Sequence, residues 1–283
     1  MNIAVASGKG GTGKTTIATN LAAAVSRTGL GVQYLDCDVE EPNGHIFLKP
    51  TIESRDEVTV GVPEVDANKC IGCGRCAELC QYSAITCVKG KVLLFEELCH
   101  SCGGCMAVCP EQAITETPRT IGIAEFGTSD EIAFGHGKLN IGTIQTPALI
   151  KYVKQQATAE TLTILDVPPG TSCPVIEAIR KTDFVLLATE PTPFGLNDLK
   201  LAVGLVRTLK LPFAVAVNRS GIGDDGVVQY CRDEGIEIWL DIPNDRRIAE
   251  AYSHGTMMID VLPEYQQKFL DLHARIHERI AVH

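Results

Sequence analysis

Apolar residues gather into short runs at Ile3–Ala6, Val32–Leu35, Leu162–Leu165, Phe184–Ala188, Phe213–Val217 and Ile236–Leu240. The runs show little alternation with polar residues, so they predict strands buried on both faces. Between them the period lengthens. Ile17, Leu21, Ala24 and Val25 recur at helical spacing up to Gly29, and similar patterns run near Leu196–Leu209, Val227–Glu234, Arg246–Ser253 and Glu264–Ile280. Ile121–Phe126 and Glu131–Phe134 predict two strands spaced as a hairpin. Thr146-Pro147 predicts a helix start, with threonine as cap and proline at the first position. Strands alternating with helices predict an α/β fold around a mostly parallel sheet.

The pattern stops near Val62-Pro63 and resumes after Pro118. The stretch between has no long apolar helix or strand. It carries an internal repeat instead: Cys70-x2-Cys73-x2-Cys76-x3-Cys80 recurs 29 residues later as Cys99-x2-Cys102-x2-Cys105-x3-Cys109. Ala84-Ile85-Thr86 recurs in step as Ala113-Ile114-Thr115. The simplest organisation is one α/β domain in two parts, residues 1–62 and 119–283, interrupted by a cysteine-rich insertion over residues 63–118.

Composition narrows the chemistry. The chain has 283 residues and a formal charge of -10, which argues against broad binding to nucleic acid or to an anionic membrane. No run approaches the ~18 apolar residues that span a bilayer. The N-terminus lacks the charged region of a signal peptide, so a reducing cytoplasm is expected. There, 12 cysteines are better read as metal ligands than as disulfides. Eight of them form the two runs, and Cys87 lies between the runs.

Gly8 to Thr15 fits G-x-x-x-x-G-K-[ST] between a predicted strand and a predicted helix, the context a phosphate loop requires. Glycines at Gly8, Gly10, Gly11 and Gly13, with Thr12 between, let backbone N–H groups turn inward around a phosphate. The helix start at Thr15-Thr16 adds its partial positive charge. Lys14 can reach the β- and γ-phosphates, and the Thr15 hydroxyl can ligate Mg²⁺.

Lys9-Gly10-Gly11-x-Gly13-Lys14-Thr15-Thr16 resembles the deviant Walker A loop of the MinD/ParA/Mrp and nitrogenase iron-protein superfamily. That resemblance implies a P-loop NTPase that works as a dimer, with Lys9 reaching the partner's nucleotide. Asp36-Cys37-Asp38 looks like switch I, with Asp38 orienting the attacking water. Asp166-Val167-Pro168-Pro169-Gly170 looks like Walker B joined to switch II. There Asp166 would hold the Mg²⁺ shell through water, and the Gly170 N–H would sense the γ-phosphate. Asn218 would contact adenine, and the loop at Pro243 would pack on the base.

The second cysteine run is followed by Pro110, matching C-x2-C-x2-C-x3-C-P. Gln81 stands where the first run would have its proline. The pair of runs resembles a bacterial two-cluster ferredoxin, which implies two [4Fe-4S] clusters. In that fold the fourth cysteine of each run serves the other cluster. One set would be Cys70, Cys73, Cys76 and Cys109; the other would be Cys99, Cys102, Cys105 and Cys80. Thiolates suit iron–sulfur clusters, and a segment with so little apolar core needs a metal centre to fold. Zinc is the alternative, but it favours C-x2-C pairs separated by a spacer.

Other signals are single residues. Cys173 follows the switch II aspartate at a distance similar to a cluster ligand of the nitrogenase iron protein, so it is a candidate interface or switch residue; a buried apolar role is its alternative. Cys37, Cys87 and Cys231 read as packing residues. His136, between Gly135 and Gly137, reads as a solvated loop histidine, and His100 as an exposed one. The last helix has no basic polar face and is expected to pack rather than bind a membrane.

The first functional expectation is a Mg²⁺-dependent ATPase, a homodimer or a heterodimer with a paralogue. Its ATP state would be coupled to two clusters that deliver electrons to, or assemble a metal centre on, a partner protein in an anaerobic prokaryote. A MinD/ParA-like spatial organiser with redox-sensing clusters is the second. An Mrp-like cluster carrier is the third, although a C-terminal C-x-x-C pair is missing.

Overall fold

In the computed structural model, residues 1–281 are described. A phosphate-loop unit opens the chain: β1 (Asn2–Ala6), α1 (Lys14–Ser26), β2 (Val32–Asp36) and the short α2 (Gly44–Leu48). A long strand follows, β3 (Thr51–Val65). The cysteine-rich piece holds α3 (Arg75–Leu79), β4 (Ile85–Val88), β5 (Lys91–Leu94) and α4 (Gly104–Ala107). The chain returns through β6 (Ile114–Ser129), β7 (Ile132–Leu139), α5 (Thr146–Lys154), β8 (Leu162–Asp166) and α6 (Cys173–Ile179). It continues with β9 (Phe184–Thr189), α7 (Pro193–Thr208), β10 (Phe213–Ser220), α8 (Gly226–Asp233) and β11 (Ile238–Pro243). The last helices are α9 (Arg246–Ser253), α10 (Met258–Val261) and α11 (Glu264–Ala281).

Nine strands form one sheet in the order β11-β10-β9-β1-β8-β2-β7-β6-β3. The seven from β11 to β7 are parallel. The other two are added antiparallel, β6 on β7 and β3 on β6. The expected hairpin is therefore real, but it is longer than the apolar pattern showed. β3 and β6 pair from Thr51↔Thr128 to Val65↔Ile114, so residues 63–65 and 114–118 belong to this ribbon. The compact cysteine piece begins after Val65 and ends before Ile114.

The sheet is covered on both faces, as continuous apolar strands require. One core packs α1, α10 and α11 on it, and the other packs α5, α6, α7 and α8. Phe269, Leu272 and Ile276 of α11 are 0–1% exposed. Burying each stabilises the fold by about 1.5–3 kcal/mol. This helix is thus a core element, as its mixed polar face implied. Among the described residues, no helix is long and apolar enough to cross a membrane.

Two expectations change. Thr146 is the first residue of α5 and not its cap; the cap position is Gln145 and no side chain caps this helix. His136 is not in a loop. It lies in β7, 3% exposed, with Nε2 2.8 Å from Glu125 Oε2 on β6. The flanking glycines have a packing reason: a Cβ at Gly135 would meet the Phe126 ring and Leu35, and one at Gly137 would meet Val39, each at 2.8 Å.

Candidate functional site

The loop from Ser7 to Gly13 joins the central strand β1 to α1. Gly8 passes so close to α7 that a Cβ would lie 2.1 Å from the Asp198 carbonyl oxygen. Gly13 has φ +91°, and a Cβ there would lie 2.2 Å from Asn218 Nδ2. Both positions therefore require glycine. Asn218, at the end of β10, donates from Nδ2 to the Thr12 carbonyl (3.0 Å) and accepts the Arg219 N–H (3.0 Å). It braces the phosphate loop as well as lining the cleft.

Three strand ends converge beside this loop. Asp36 and Asp166 are paired across β2 and β8, and both are fully buried. Asp36 accepts N–H bonds from Asp38 (3.0 Å), Asn43 (3.1 Å) and Gly44 (2.9 Å), which fold the segment after β2 back on the strand. Tyr34, two residues earlier on the same face, donates its hydroxyl to Asp166 Oδ2 at 2.9 Å. Asp166 Oδ1 is buried without a hydrogen-bond partner. Burial raises the carboxyl pKa of both aspartates. For Asp36 the neighbouring Asp166 charge adds to this; for Asp166 the Lys14 ammonium and the Thr15 and Tyr34 hydroxyls oppose it.

Asp38 is half-buried, and its carboxyl is pushed up to about 6. Burial is the main cause. Lys14 pulls it down, while Asp166, Glu40 and Glu41 push it up. Lys14 itself is 6% exposed. Lys9 pairs within its own chain, Nζ to Glu190 Oε1 at 2.5 Å. Gly170 (φ +101°) donates its N–H to the Ser7 carbonyl at 2.9 Å, so the segment after β8 is tied to the loop after β1.

A cleft of about 320 Å³ gathers Gly10, Gly11, Gly13, Lys14, Thr15, Thr16, Asp38, Asn218 and Pro243. Tyr252 and Asn43 also line it and were not singled out by motif. Most of the expected nucleotide residues therefore share one cavity. Gly8, Thr12, Asp166 and Gly170 do not line it, and Lys9 is turned to Glu190.

The cysteine piece has its own symmetry. Left-handed backbone recurs with the 29-residue repeat: Gly72 with Ser101, Gly74 with Gly103, and Ser83 with Gln112. Gly74 and Gly103 each precede a short helix, α3 and α4. Two cavities flank these helices. One, about 90 Å³, is lined by Cys80, Cys99, Cys102 and Cys105. The other, about 20 Å³, is lined by Cys70, Cys73, Cys76 and Cys109. Each cavity thus collects three cysteines of one run and the fourth of the other. Among the described residues, no three His, Cys, Asp or Glu side chains close in tightly enough to hold a single metal ion.

Backbone N–H groups point at several sulfurs. Ser101 donates to Cys99 Sγ (3.4 Å) and Ala113 to Cys109 Sγ (3.3 Å). Burial would raise the Cys80 thiol pKa, but backbone N–H groups of Tyr82, Ala84, Ile85 and Ser83 more than offset it, and the pKa falls below the ordinary value. The Tyr82 and His100 rings stack at the same cavity, with centroids 3.6 Å apart.

The remaining cysteines separate clearly. Cys37 and Cys231 are buried; burial raises both thiols, Cys231 to about 11. Cys87 is half-buried and lines neither cavity. Cys173 is exposed at the first turn of α6, three residues past Gly170.

Comparison with known proteins agrees with this geometry. Two uncharacterized Methanocaldococcus jannaschii proteins, MJ0579 and MJ0578, are each 30% identical to this chain. The first match covers 90% of both chains, and the second covers 99% of this chain and 98% of the relative. An iron-sulfur cluster carrier protein from Pyrococcus horikoshii is 26% identical over 91% of this chain and 78% of its own length. The Pyrococcus furiosus cell division ATPase MinD shares the fold with a TM-score of 0.61 at 20% identity, over 99% of each chain. The Mg-ADP complex of Pyrococcus horikoshii MinD gives 0.59 at 20% identity, over 96% of this chain and 93% of that one. A family model for the CobQ/CobB/MinD/ParA nucleotide binding domain matches residues 3–258. The chain belongs to this family, with the α/β P-loop ATPase fold of the MinD/ParA type.

Proposed function

We propose that this protein is a Mg²⁺-dependent dimeric ATPase whose nucleotide state is coupled to two [4Fe-4S] clusters, for electron delivery to, or metal-centre assembly on, a partner protein. The observation that carries the reading is the sorting of eight cysteines into two cavities, four in each, with Cys109 and Cys80 exchanged between the runs. A zinc site needs four ligands around one ion. A four-iron cluster is larger and holds its thiolates farther apart, which fits two cavities each lined by four cysteines drawn from both runs. The N–H groups aimed at Cys99 and Cys109 also favour thiolate ligands. When bound, the clusters would supply one-electron transfer.

At the other end, the buried and unpartnered Asp166 Oδ1 fits the Mg²⁺ shell, with the Thr15 hydroxyl as direct ligand. Bound Mg²⁺ would neutralise charge on the phosphate oxygens. Lys14 and the loop N–H groups hold the β- and γ-phosphates in line, and Asp38 orients the attacking water and accepts its proton. Catalysis is mainly positioning and electrostatics. Lys9 would exchange Glu190 for the partner's nucleotide on closure. Gly170 would exchange the Ser7 carbonyl for the γ-phosphate.

Anaerobic purification tests the reading. About eight iron atoms per chain, ATP hydrolysis, and a change of midpoint potential or EPR signal on adding MgATP are expected. Far fewer iron atoms overturn the cluster assignment, and unchanged spectra overturn the coupling. The relatives named iron-sulfur cluster carrier proteins favour a second reading, in which a cluster is handed on; iron transfer to an apo-protein would select it.

A further inference from the structure

The loop between β7 and α5 touches switch I on one side and a cysteine of the inserted piece on the other. Leu139, at the end of β7, donates its N–H to the Val39 carbonyl at 2.8 Å. The Thr146 hydroxyl donates to Glu40 Oε1 at 3.1 Å. Val39 and Glu40 directly follow Asp38. The neighbouring side chain, Gln145, is 6% exposed and turns the other way. Its Nε2 donates to the Cys99 carbonyl in a buried bond. Two consecutive residues at the start of α5 therefore hold switch I and the first cysteine of the second run.

This junction is stiff. Leu149, Ile150 and Val153 of α5 are fully buried in the sheet's second core. The Asn140 N–H is held by the Ile121 carbonyl at 2.9 Å. A displacement of Glu40 thus cannot dissipate in a floppy loop. Gln145 also occupies the cap position of α5 without capping it: its Nε2 is turned to the Cys99 carbonyl, and its Oε1 is buried without a hydrogen-bond partner.

We infer that Gln145 and Thr146 link the nucleotide site to the cavity of Cys80, Cys99, Cys102 and Cys105. The inference rests on the proposed cluster reading above. Gln145 is a positioning residue: it fixes the Cys99 carbonyl, and with it the local chain that places the Ser101 N–H on Cys99 Sγ. When Asp38 and Glu40 move with nucleotide, Thr146 is pulled or released, and the bonds around Cys99 change. Hydrogen bonds to ligand sulfurs set cluster potential. Among the described residues, no side chain of the main sheet or its helices hydrogen-bonds to Cys70, Cys73, Cys76 or Cys109. The response is therefore confined to one of the two clusters.

The test uses the anaerobic holoprotein, Gln145→Met and Thr146→Val, with MgATP and its non-hydrolysable analogue. Both substitutions are close in shape and leave the phosphate loop and the cysteines intact. EPR-monitored redox titration and hydrogen exchange over residues 99–105 are read with and without nucleotide. In the unmodified protein, nucleotide should shift one midpoint potential and change exchange by about fivefold or more. In either variant, with iron content and nucleotide affinity retained, both effects should fall below about twofold. A response that survives both substitutions, or one shared equally by the two clusters, overturns the link and leaves the coupling reading standing. No response in the unmodified protein overturns both. If Gln145→Met does not take up iron, Thr146→Val, which spares Cys99, decides the matter.

Discussion

Lys9 Nζ stands 2.5 Å from Glu190 Oε1, joining residues 181 positions apart in the sequence. Arg219 Nη1 approaches the other oxygen of the same carboxylate at 3.5 Å. A lysine held this way within its own subunit is not free for a partner, so the contact would oppose the proposed dimer closure. Partly exposed ion pairs contribute about 0.2–1 kcal/mol. Glu190→Gln should therefore raise ATP-dependent dimer formation by up to about fivefold. Lys9→Ala should abolish hydrolysis while the monomer still binds ATP. Analytical ultracentrifugation with ATP, beside phosphate release, checks both.

Asp38 should give hydrolysis an acid limb. Its carboxyl titrates near 6 in the fold, and only the ionised form can accept a proton from water, so the rate should fall as pH drops through about 6. Stability runs the other way. The raised folded pKa means that this group favours the fold most below its ordinary value of 3.8, and the advantage is lost as pH rises through about 6. Asp38→Asn should cost about 10²–10⁴ in rate, remove this limb, and leave the melting temperature equal or higher at neutral pH.

Gly13→Ala combines two faults. The alanine must adopt φ +91°, and its Cβ would push Asn218 off the Thr12 carbonyl. The backbone strain alone is about 1–2 kcal/mol. Thermal denaturation should show that loss or more, and titration with a fluorescent ATP analogue should show no binding. Retained affinity would mean that Asn218 does not brace the loop.

The exchange of Cys80 and Cys109 between runs can be counted in iron. Cys80→Ser with Cys99→Ser removes two ligands from one cavity, and about four iron atoms per chain should remain. Cys80→Ser with Cys76→Ser removes one ligand from each cavity and should deplete both clusters. The reverse order, with about four iron atoms kept by Cys80→Ser/Cys76→Ser and both clusters depleted in Cys80→Ser/Cys99→Ser, would show that each run serves its own cluster.

Much of the fold is legible in local pattern. The buried strands announce themselves because both faces are apolar, and the phosphate loop because its chemistry is local. β3 is not legible. It is an outer strand with residues such as Glu53, Arg55 and Glu57 exposed, so no apolar run marks it. His136 reads as a loop residue because its neighbours are glycines, which here make room for Leu35, Phe126 and Val39 rather than a turn. Tyr34 could have been found, since strand alternation puts it on the same face as Asp36. Glu190 and Gln145 could not: their partners are distant in sequence, and nothing local distinguishes them.

The ribbon of β3 and β6 has an evolutionary consequence. From Thr59↔Thr120 to Val65↔Ile114 the two strands pair only with each other, beyond the reach of β7, whose pairing stops at Gly122. The cysteine piece is therefore plugged in through a socket whose two contacts lie side by side. A tight turn from Val58 to Gly122 would close the hairpin and leave all nine strands in place. Such a joint lets a lineage gain, lose or trade the whole cysteine piece by one recombination event, with the nine-stranded sheet unaltered.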